Sequence, residues 1–494
     1  MKSRTSPLIE MQTHRSAIQG RGTALPVLCL VLMLVGGCAA VGPDYMRPDT
    51  PVPESWSTSF EQNLSAGMAD PEELARWWSS LNDPLLTSLI ERAVAGNHDL
   101  RRARARIREA RARRNIAAAA LFPSVDAAAS MTKRRSSEDT GGGGETDLYS
   151  AGFDAAWELD LFGGVRRSVE AAGAELEASE EDLRSVLVSL IAETALNYVD
   201  LRSFQNRLSL ASTNLASQEE TYTITRWRFL AGLTTELDVE QARYSMEQTR
   251  AQIPLLQIGF EQAGYRIAVI LGQNPGTLRD ELTEEQPVPM PPDTVAVGIP
   301  ADTLRMRPDI RRAERELAAQ TARVGEATAD LYPKFRLSGS IGLEALSFDN
   351  LFRASSRTYG ISPAFSWNVF DAGRIRENIE VQNALQEQAM IQYEQAVLAA
   401  LEEVENALTA YARDQVRRGS LTEASQAAQR AEELARSQYA SGLIDFQAVL
   451  TAQRSLLSLQ DQLASSRADV TSDLISLYKA LGGGWSSQAA KEGL

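Results

Sequence analysis

Few residues in this 494-residue sequence are of the types that usually perform catalysis or bind metals. The only histidines are His14 and His98, too few for histidine-based catalysis or a histidine-rich metal site. Glu158 and Asp160 are spaced to share one face of a strand and could act as a general acid and base. The same two carboxylates would need no chemical role if this strand face lined a water-filled cavity. The composition therefore favours a protein that is neither an enzyme nor a metal carrier.

Cys38 is the residue with the clearest chemical signature. A basic segment over residues 1–22 precedes an apolar run of 13 residues, 23–35, which is too short to span a bilayer as a helix. Val35-Gly36-Gly37-Cys38 follows as a lipobox, so we predict that residues 1–37 are a lipoprotein signal peptide that is removed. Cys38 would then carry a diacylglycerol and an N-linked fatty acid. The alternative is an ordinary cleaved leader with a cysteine nearby.

The charge balance argues against nucleic acid as a partner. The formal net charge is −15, whereas a protein that binds a phosphate backbone needs a basic face. Arg101–Arg114 is a local exception, and it could suggest a contact with RNA or anionic lipid. We interpret it as a solvated or lumenal helix face. Cys29 lies inside the predicted leader, so no disulfide framework is expected.

An internal repeat relates the two halves of the chain. Similar residues recur 210 positions apart without a gap: Asp99-Leu100-Arg101-Arg102-Ala103 and Asp309-Ile310-Arg311-Arg312-Ala313, Leu121-Phe122-Pro123 and Leu331-Tyr332-Pro333, Trp157 and Trp367, Gly232-Leu233 and Gly442-Leu443. Chance similarity would scatter the offsets, so we predict two structurally equivalent halves. The predicted divisions are an extended segment over 38–70, repeats over 71–290 and 291–482, and a C-terminal tail over 483–494.

Each half contains long stretches with helical character. The pattern predicts helix-like segments at 71–119 and 302–329, very long helices at 164–230 and 374–440, and last helices at 234–270 and 444–480. A helix of 67 residues would be roughly 100 Å long. Such lengths are typical of coiled coils and helical barrels rather than globular domains.

Four segments alternate between apolar and polar residues. We predict strands at about 123–132, 148–160, 333–343 and 357–370. Their lengths suit tilted membrane-spanning strands, and tyrosine and tryptophan near the ends suit interfacial girdles. The alternative is a soluble sheet covered on one face by helices.

Four strands per chain cannot close a membrane barrel alone, because bacterial barrels begin at about eight strands and a membrane forbids open edges. The sequence therefore predicts an oligomer. From strand number alone, two, three or four chains remain open.

Several motifs in fixed order resemble the outer-membrane efflux channel family of the TolC/OprM type, in particular its lipidated NodT-like branch. These are Cys38-Ala39-Ala40-Val41-Gly42-Pro43-Asp44-Tyr45, Leu304-Arg305-Met306-Arg307-Pro308-Asp309-Ile310-Arg311, Ala329-Asp330-Leu331-Tyr332-Pro333 and Leu477-Tyr478-Lys479-Ala480-Leu481-Gly482-Gly483-Gly484-Trp485. The resemblance covers essentially all of residues 38–485.

The resemblance implies a mainly α-helical homotrimer. Its twelve strands would form one barrel in the outer membrane of a Gram-negative bacterium, and its helices would form a tunnel through the periplasm. The trimer would be a passive exit duct for an inner-membrane pump of the resistance-nodulation-division (RND) type, joined by a periplasmic adaptor. Gly141–Gly144 and Gly482–Gly484 lack the Gly-Lys-Ser/Thr of a phosphate loop, so energy would come from the pump.

The resemblance also implies two helix-turn-helix tips at the periplasmic end of the tunnel. The matching positions are Gly232-Leu233 and Gly442-Leu443, where glycine relieves the reversal and leucine is available to the adaptor. The alternative is a plain helix end without a partner.

The channel gate of the family would lie on the last helix. Where many relatives read Leu-Asp-Ala-Gln, this sequence reads Leu450-Thr451-Ala452-Gln453, so Thr451 replaces the gate carboxylate and Gln447 a lumenal hydrophobe. Asp445 is the nearest remaining acid, and we hypothesise that three copies form a cation-attracting ring. The alternative is a solvated acid at a helix start.

Three other functions remain open at this point. The chain could be the outer-membrane channel of a type I protein secretion system, a lipid-anchored periplasmic scaffold, or a periplasmic enzyme that uses Glu158 and Asp160. The sequence does not identify the transported substrate, the pump or the adaptor.

Overall fold

The computed structural model describes residues 40–58, 64–65, 67, 70–292 and 294–485. Most of these residues are helical. The α-helices are, in chain order, α1 (Pro71–Ala75), α2 (Pro84–Gly96), α3 (His98–Ala119), α4 (Glu138–Gly141), α5 (Gly164–Leu230), α6 (Glu236–Ile270), α7 (Arg279–Leu282), α8 (Pro300–Met306), α9 (Pro308–Ala329), α10 (Arg374–Ala440) and α11 (Phe446–Ala480). Within these described ranges, no helix is both long enough and apolar enough to cross a bilayer.

Six strands form two sheets. They are β1 (Leu64–Ser65), β2 (Ser124–Arg135), β3 (Glu145–Leu159), β4 (Val295–Ala296), β5 (Lys334–Ala345) and β6 (Arg357–Ser366). β1 and β4 form a short parallel pair, and the other four form an antiparallel sheet in the order β2-β3-β5-β6. The register pairs Ala129 with Ala151 and Ala151 with Leu343, and Gly339 with Ile361.

One face of the four-stranded sheet is apolar and exposed. Its most exposed side chains come from all four strands: Val125, Met131, Phe153, Ile341, Tyr359, Ile361 and Phe365. They occupy odd positions, as period-two alternation requires. The predicted strands agree with the observed ones to within a few residues at each end.

Asp160 does not lie in the same strand as Glu158, as the predicted carboxylate pair requires. β3 ends at Leu159, so Asp160 lies beyond the strand, and its Oδ2 accepts hydrogen bonds from the Arg166 backbone N–H at 2.8 Å and from Arg166 Nε at 3.2 Å. Glu158 stays in the strand, in register with Arg336. Asp160 is therefore bound by Arg166 just beyond the strand, whereas Glu158 lies within it.

Equivalent elements of the two halves are related by the constant offset of the sequence repeat. α3 and α9, α5 and α10, α6 and α11, and β2 and β5 all have bounds that differ by this same offset. The predicted long helices over 164–230 and 374–440 are confirmed without change.

The predicted helix-like segment 71–119 is largely helical, and it is divided into separate helices. The side chains of Asp70 and Asp83 cap α1 and α2, and a proline follows each as the first helical residue. Asn97 Oδ1 then accepts from the backbone N–H groups of Asp99 and Leu100 at the start of α3. The segment 302–329 is likewise divided at Arg307, between α8 and α9.

The described residues divide into two compact units. The first comprises 40–45, 114–172 and 320–386, which include the four-stranded sheet. The second comprises the described parts of 46–113, 173–319 and 387–485. The second unit holds a large core in which the Trp77 ring stacks on Tyr478 at 5.4 Å, surrounded by buried leucine and isoleucine side chains.

Candidate functional site

The first helical reversal lies between α5 and α6. Gly232 has a φ of +77°, a left-handed conformation that residues with a Cβ adopt at a cost. The Leu233 N–H donates to the Arg228 carbonyl and the Gly232 N–H to Phe229, both at 2.8 Å. Thr235 and Asp238 then form a reciprocal capping box that starts α6. Local sequence therefore specifies both the end of α5 and the start of α6.

The second reversal has the same geometry. Gly442 has a φ of +74°, and the Leu443 N–H donates to the Gln438 carbonyl at 2.9 Å. The two reversals lie together, because the Arg228 guanidinium lies 4.3 Å from the centre of the Tyr439 ring and donates to its carbonyl at 2.9 Å. Ala242 of α6 packs with Phe446 of α11 in a small shared core.

The predicted docking leucines are exposed at these tips. Leu233 has 69% and Leu443 has 74% of its surface exposed. The first tip adds other exposed apolar side chains, namely Trp227, Leu230 and Leu237. Sequence reasoning missed these three, although their spacing around the glycine was visible. The site is therefore an apolar surface with its larger share on the first tip.

The predicted gate residues lie on the exposed side of α11. Asp445 is the N-cap of this helix, and its Oδ1 accepts from the Ala448 N–H at 3.0 Å. Gln447 and Thr451 are one turn apart and exposed, and the Thr451 hydroxyl donates to the Gln447 carbonyl at 2.9 Å. The capping role of Asp445 is thus observed, and a lumenal ring stays a prediction.

Sequence reasoning missed an acidic cluster between α10 and α11. Asp414 lies next to Asp473, and Asp469 is close enough for its charge to act on Asp473. Arg417 is the nearby cation, with its Nη1 3.1 Å from Asp469 Oδ2 and 3.5 Å from Asp414 Oδ1. Burial, together with the neighbouring Asp414 carboxylate, raises the pKa of Asp473 to about 7. The two carboxylates lie on different helices, and nothing local in the sequence signals their contact.

Arg307 connects three chain segments in the second unit. Its guanidinium donates to Asp309 at 3.1 and 2.7 Å, to Glu403 at 2.7 Å and to the Ala480 carbonyl at 2.7 Å. Burial alone would raise the pKa of Asp309, but the hydrogen bonds and charge of Arg307 outweigh it and hold that pKa below its ordinary value. Asp309 Oδ1 also accepts a hydrogen bond from the Ile310 N–H at 3.0 Å.

Cys38, the predicted lipid site, lies outside the described residues. The segment just after it is held in the first unit by Arg167, whose side chain is almost fully buried. Arg167 Nε donates to the Val41 carbonyl at 3.1 Å, and its Nη2 donates to Asp44 at 2.7 Å. The Val41 N–H also donates to the Phe162 carbonyl at 3.0 Å.

Comparison with known proteins decides the family. The model of the outer membrane efflux protein family matches residues 89–273 and 299–483, which is well over half of the sequence. The chain belongs to the outer membrane efflux protein family. The two matched segments of this efflux protein are related by the same offset as its equivalent helices.

Individual relatives agree with this assignment. The efflux protein is 33% identical to nodulation protein T of Rhizobium leguminosarum bv. trifolii, with 94% of this chain and 97% of the relative aligned. It is 32% identical to the toluene efflux pump outer membrane protein TtgI of Pseudomonas putida, over 94% and 98% of the two chains. The outer-membrane channel OprN matches in structure with a TM-score of 0.86 and 38% identity, over 90% of this chain and all of OprN.

These findings confirm the predicted family, the efflux function and the outer-membrane location in Gram-negative bacteria. The fold class is confirmed as that of the known outer-membrane efflux channels. The family is one of channels and transporters rather than of enzymes. Within the part of the efflux protein that the structure describes, no cluster of three histidine, cysteine, aspartate or glutamate side chains could hold a metal ion.

The acidic cluster of this efflux protein gives a test by pH. A carboxyl group whose folded pKa is raised costs stability as the pH rises from its unfolded pKa to the folded one. Asp473→Asn is therefore expected to raise the free energy of unfolding at pH 8 by about 1 kcal/mol, since solvent reaches part of the pair. The gain should vanish near pH 4, where the wild-type carboxyl group is protonated. Urea unfolding at the two pH values measures this difference.

Asp461→Asn is the matched control on the same helix. Asp461 accepts two hydrogen bonds from Arg207, at 2.7 and 3.1 Å, so its loss should lower stability at pH 8. An Asp473→Asn protein that has the same stability as the wild type at pH 8 would contradict the raised pKa of Asp473.

Proposed function

We propose that three copies of this chain form the passive exit duct of a tripartite efflux pump. The observation that carries the proposal is the antiparallel sheet β2-β3-β5-β6, which has an exposed apolar face. β2 and β6 each have one edge without a partner in this sheet. Membrane barrels have no open edges and begin at about eight strands, so two or more chains must join. Three chains of four strands give a barrel of twelve, as the resemblance implies.

The partners would be a periplasmic adaptor and an inner-membrane pump of the RND type. The exposed leucines at the tips, Leu233 and Leu443, supply an apolar surface for an adaptor hairpin. Relatives named for toluene efflux support small molecules as cargo. The pump would choose the cargo and supply the energy, and the duct would supply the path through the outer membrane.

Cys38 would carry the covalent diacylglycerol and the N-linked fatty acid. The lipobox sequence supports this modification, and the Arg167-held segment that follows supports a defined position for it. Mass spectrometry of the mature chain tests the proposal. An unmodified Cys38 at the mature N-terminus would contradict it.

Gene deletion in the parent bacterium tests the function. Loss of this protein is expected to increase accumulation of a fluorescent efflux substrate, and expression of the full chain should restore efflux. Outer-membrane fractions should contain the protein as a trimer, measured by native mass spectrometry in detergent. Unchanged accumulation in a strain without other channels of this family would overturn the proposed export role.

The tip leucines should be essential for efflux but not for folding. Leu443→Glu places a charge in the apolar contact, which is expected to reduce efflux at least about tenfold because a buried unpaired charge costs several kcal/mol. Crosslinking of the duct to the adaptor should fall in parallel, while the trimer persists.

Phe352→Glu is the matched control. Phe352 is also 74% exposed and lies in the connection between β5 and β6. It should leave adaptor crosslinking unchanged. Equal loss of crosslinking in both variants, or normal efflux in Leu443→Glu, would contradict a role of Leu443 in adaptor docking.

A further inference from the structure

The helix α3 carries an arginine stripe that the efflux function does not explain. Arg102, Arg106 and Arg113 pair with Asp99, Asp182 and Glu109 at 3.0, 3.2 and 2.7 Å. Four further arginines, spaced by three, four and three residues, lie on one face: Arg101, Arg104, Arg108 and Arg111. Among the described residues, none of these four has a carboxylate partner. Three of them line one shallow surface depression with His98.

The equivalent helix in the second half of the chain pairs its arginines with acids of a neighbouring helix. α9 has the same place in the second repeat as α3 has in the first. Its arginines meet acids of α5: Arg311 with Glu181 at 2.9 Å, and Arg315 with Glu177 at 3.3 Å. α9 thus has a long helix of the other half against its arginine face.

The opposite side of α9 packs on its own long helix. Ile310 of α9 forms a buried cluster with Tyr393 and Val397 of α10. α3 also contacts its own long helix, in this case through an ion pair between Arg106 and Asp182 of α5 at 3.2 Å. These four helices of the second unit are therefore neighbours in the order α3-α5-α9-α10, with α3 at one end of the row and α10 at the other.

The repeat indicates what should cover the arginine stripe. The element equivalent to α5 is α10, but within the chain α10 lies beyond α9. Its own exposed face is acidic and apolar, with five residues at helical spacing: Glu387, Ile391, Glu394, Leu398 and Glu402. The three glutamates have no ion-pair partner within the described ranges. A basic stripe at one edge thus matches an acidic stripe at the other.

We propose that the arginine stripe of α3 binds the glutamate stripe of α10 of a second copy of this chain. This inference rests on the proposed trimer and names the contacts that hold it together. In α9 and α5, residue 311 lies opposite 181 and residue 315 opposite 177, so the helices are antiparallel. Exchanging each helix for its repeat equivalent puts residue 105 opposite Glu387. Arg104 and Arg108 flank that position, and Arg101 falls near Glu394.

Charge pairing of this kind would offset the electrostatic repulsion within each stripe. Four arginines on one helix face repel each other, as do the glutamates on α10. Bringing the two faces together removes both repulsions and fixes the register of neighbouring copies. The contact should weaken with salt, because its charges lie near the surface.

Charge reversal tests the inference on the full mature protein in detergent. Subunit exchange between labelled and unlabelled trimers, followed by native mass spectrometry, gives the dissociation rate. Arg104→Glu and Glu387→Arg are each expected to raise that rate about tenfold, and the double variant should restore most of the wild-type value. Circular dichroism checks that each monomer keeps its helical content.

Glu402→Arg is the matched control for the rescue. It is exposed on the same stripe but lies four turns from Glu387, so it should not rescue Arg104→Glu. A double variant of Arg104→Glu and Glu387→Arg that exchanges as fast as the single variants would overturn the pairing. So would Arg104→Glu that leaves exchange unchanged but abolishes binding to vesicles of phosphatidylglycerol, which would assign the stripe to a lipid surface.

The outcomes separate this inference from the proposed function. A wild-type protein that is not trimeric in detergent or in membrane extracts would remove the trimer and the pairing together. A stable wild-type trimer that ignores the charge reversals would leave the duct intact and remove the pairing alone.

Discussion

Arg307→Met is expected to lower the free energy of unfolding by about 2 to 3 kcal/mol, because it removes a buried guanidinium that binds the Ala480 carbonyl and the partly exposed carboxylates of Asp309 and Glu403. The guanidinium makes four hydrogen bonds, to Asp309, Glu403 and the Ala480 carbonyl, and only 9% of its side chain is exposed. Those partners come from the start of α9, the middle of α10 and the end of α11. Losing one side chain should therefore loosen three helices at once. Urea unfolding in detergent, monitored by circular dichroism, measures the loss.

The effect of Arg307→Met should depend on pH in a defined direction. The folded pKa of Asp309 is held below its ordinary value, so this carboxylate contributes stability above its unfolded pKa. That contribution is lost as the pH falls through the lower, folded value. The gap between wild type and variant should be constant near neutral pH and should shrink below about pH 4.

Two variants control for the change in side-chain shape and charge. Arg307→Lys keeps the charge but cannot make the bidentate contact with Asp309. Its free energy of unfolding should lie between those of the wild type and Arg307→Met. Arg92→Met removes a half-exposed pair with Glu281, 2.8 Å apart, and should cost no more than about 1 kcal/mol. Equal losses for Arg92→Met and Arg307→Met would contradict a special role for the buried network.

Gly42→Val is expected to destabilise the first unit by about 3 kcal/mol and to release the segment after residue 40. Gly42 has a φ of +88°, and a Cβ there would lie 2.4 Å from Gly325 Cα, closer than any atoms can pack. Because the obstacle is backbone, no side-chain rotation relieves it. Arg167 packs on the other side of Gly325, where a Cβ would lie 2.9 Å from its Cδ. The segment must move away, which breaks the bonds of Arg167 to Val41 and Asp44.

Gly373→Val separates the backbone cost from the collision. Gly373 belongs to the same unit and has a φ of +92°, but a Cβ at this position would meet no atom within 4 Å. Gly373→Val should lower the free energy of unfolding only by the cost of a positive φ for valine, about 1 to 2 kcal/mol. Hydrogen exchange at Val41, whose N–H bonds to Phe162, reports release of the segment. Similar protection of Val41 in both variants would show that the glycine contact is dispensable.

Regular features of this fold were predictable because they repeat in sequence. Helices over 164–230 and 374–440 follow from two long runs without proline and from a shared offset, and both have the predicted bounds. The strands follow from period-two alternation, and the tips follow from glycine at the end of a helical run. The alternation and the glycine breaks are local signals, and the offset is a repeat within the chain, so one sequence is sufficient to detect them.

Contacts between distant segments were not predictable in this way. Glu403 and Ala480 lie 96 and 173 residues from Arg307, and nothing in their neighbourhood marks them as its partners. The Asp414–Asp473 pair and the approach of Gly42 to Gly325 are also remote in sequence. Asp160 is a case in which a local pattern predicts too much. The alternation of apolar and polar residues continues to Asp160, but the strand ends before it and the Asp160 carboxylate accepts a hydrogen bond from Arg166. Such contacts depend on residues that are distant in sequence, and the periodicity of one segment carries no information about them.

The Arg167 contact to Val41 and Asp44 also limits where a lipid on Cys38 could go. Cys38 precedes Ala40 by two positions, a length of chain that reaches at most about 7 Å. Because this linker is short, acyl chains in the bilayer would restrict movement of the four-stranded sheet along the membrane normal. Any sliding of the sheet across the membrane by more than about a nanometre would drag them towards water, at about 0.8 kcal/mol for each methylene exposed. The lipid would then fix the vertical position of the duct rather than merely attach it.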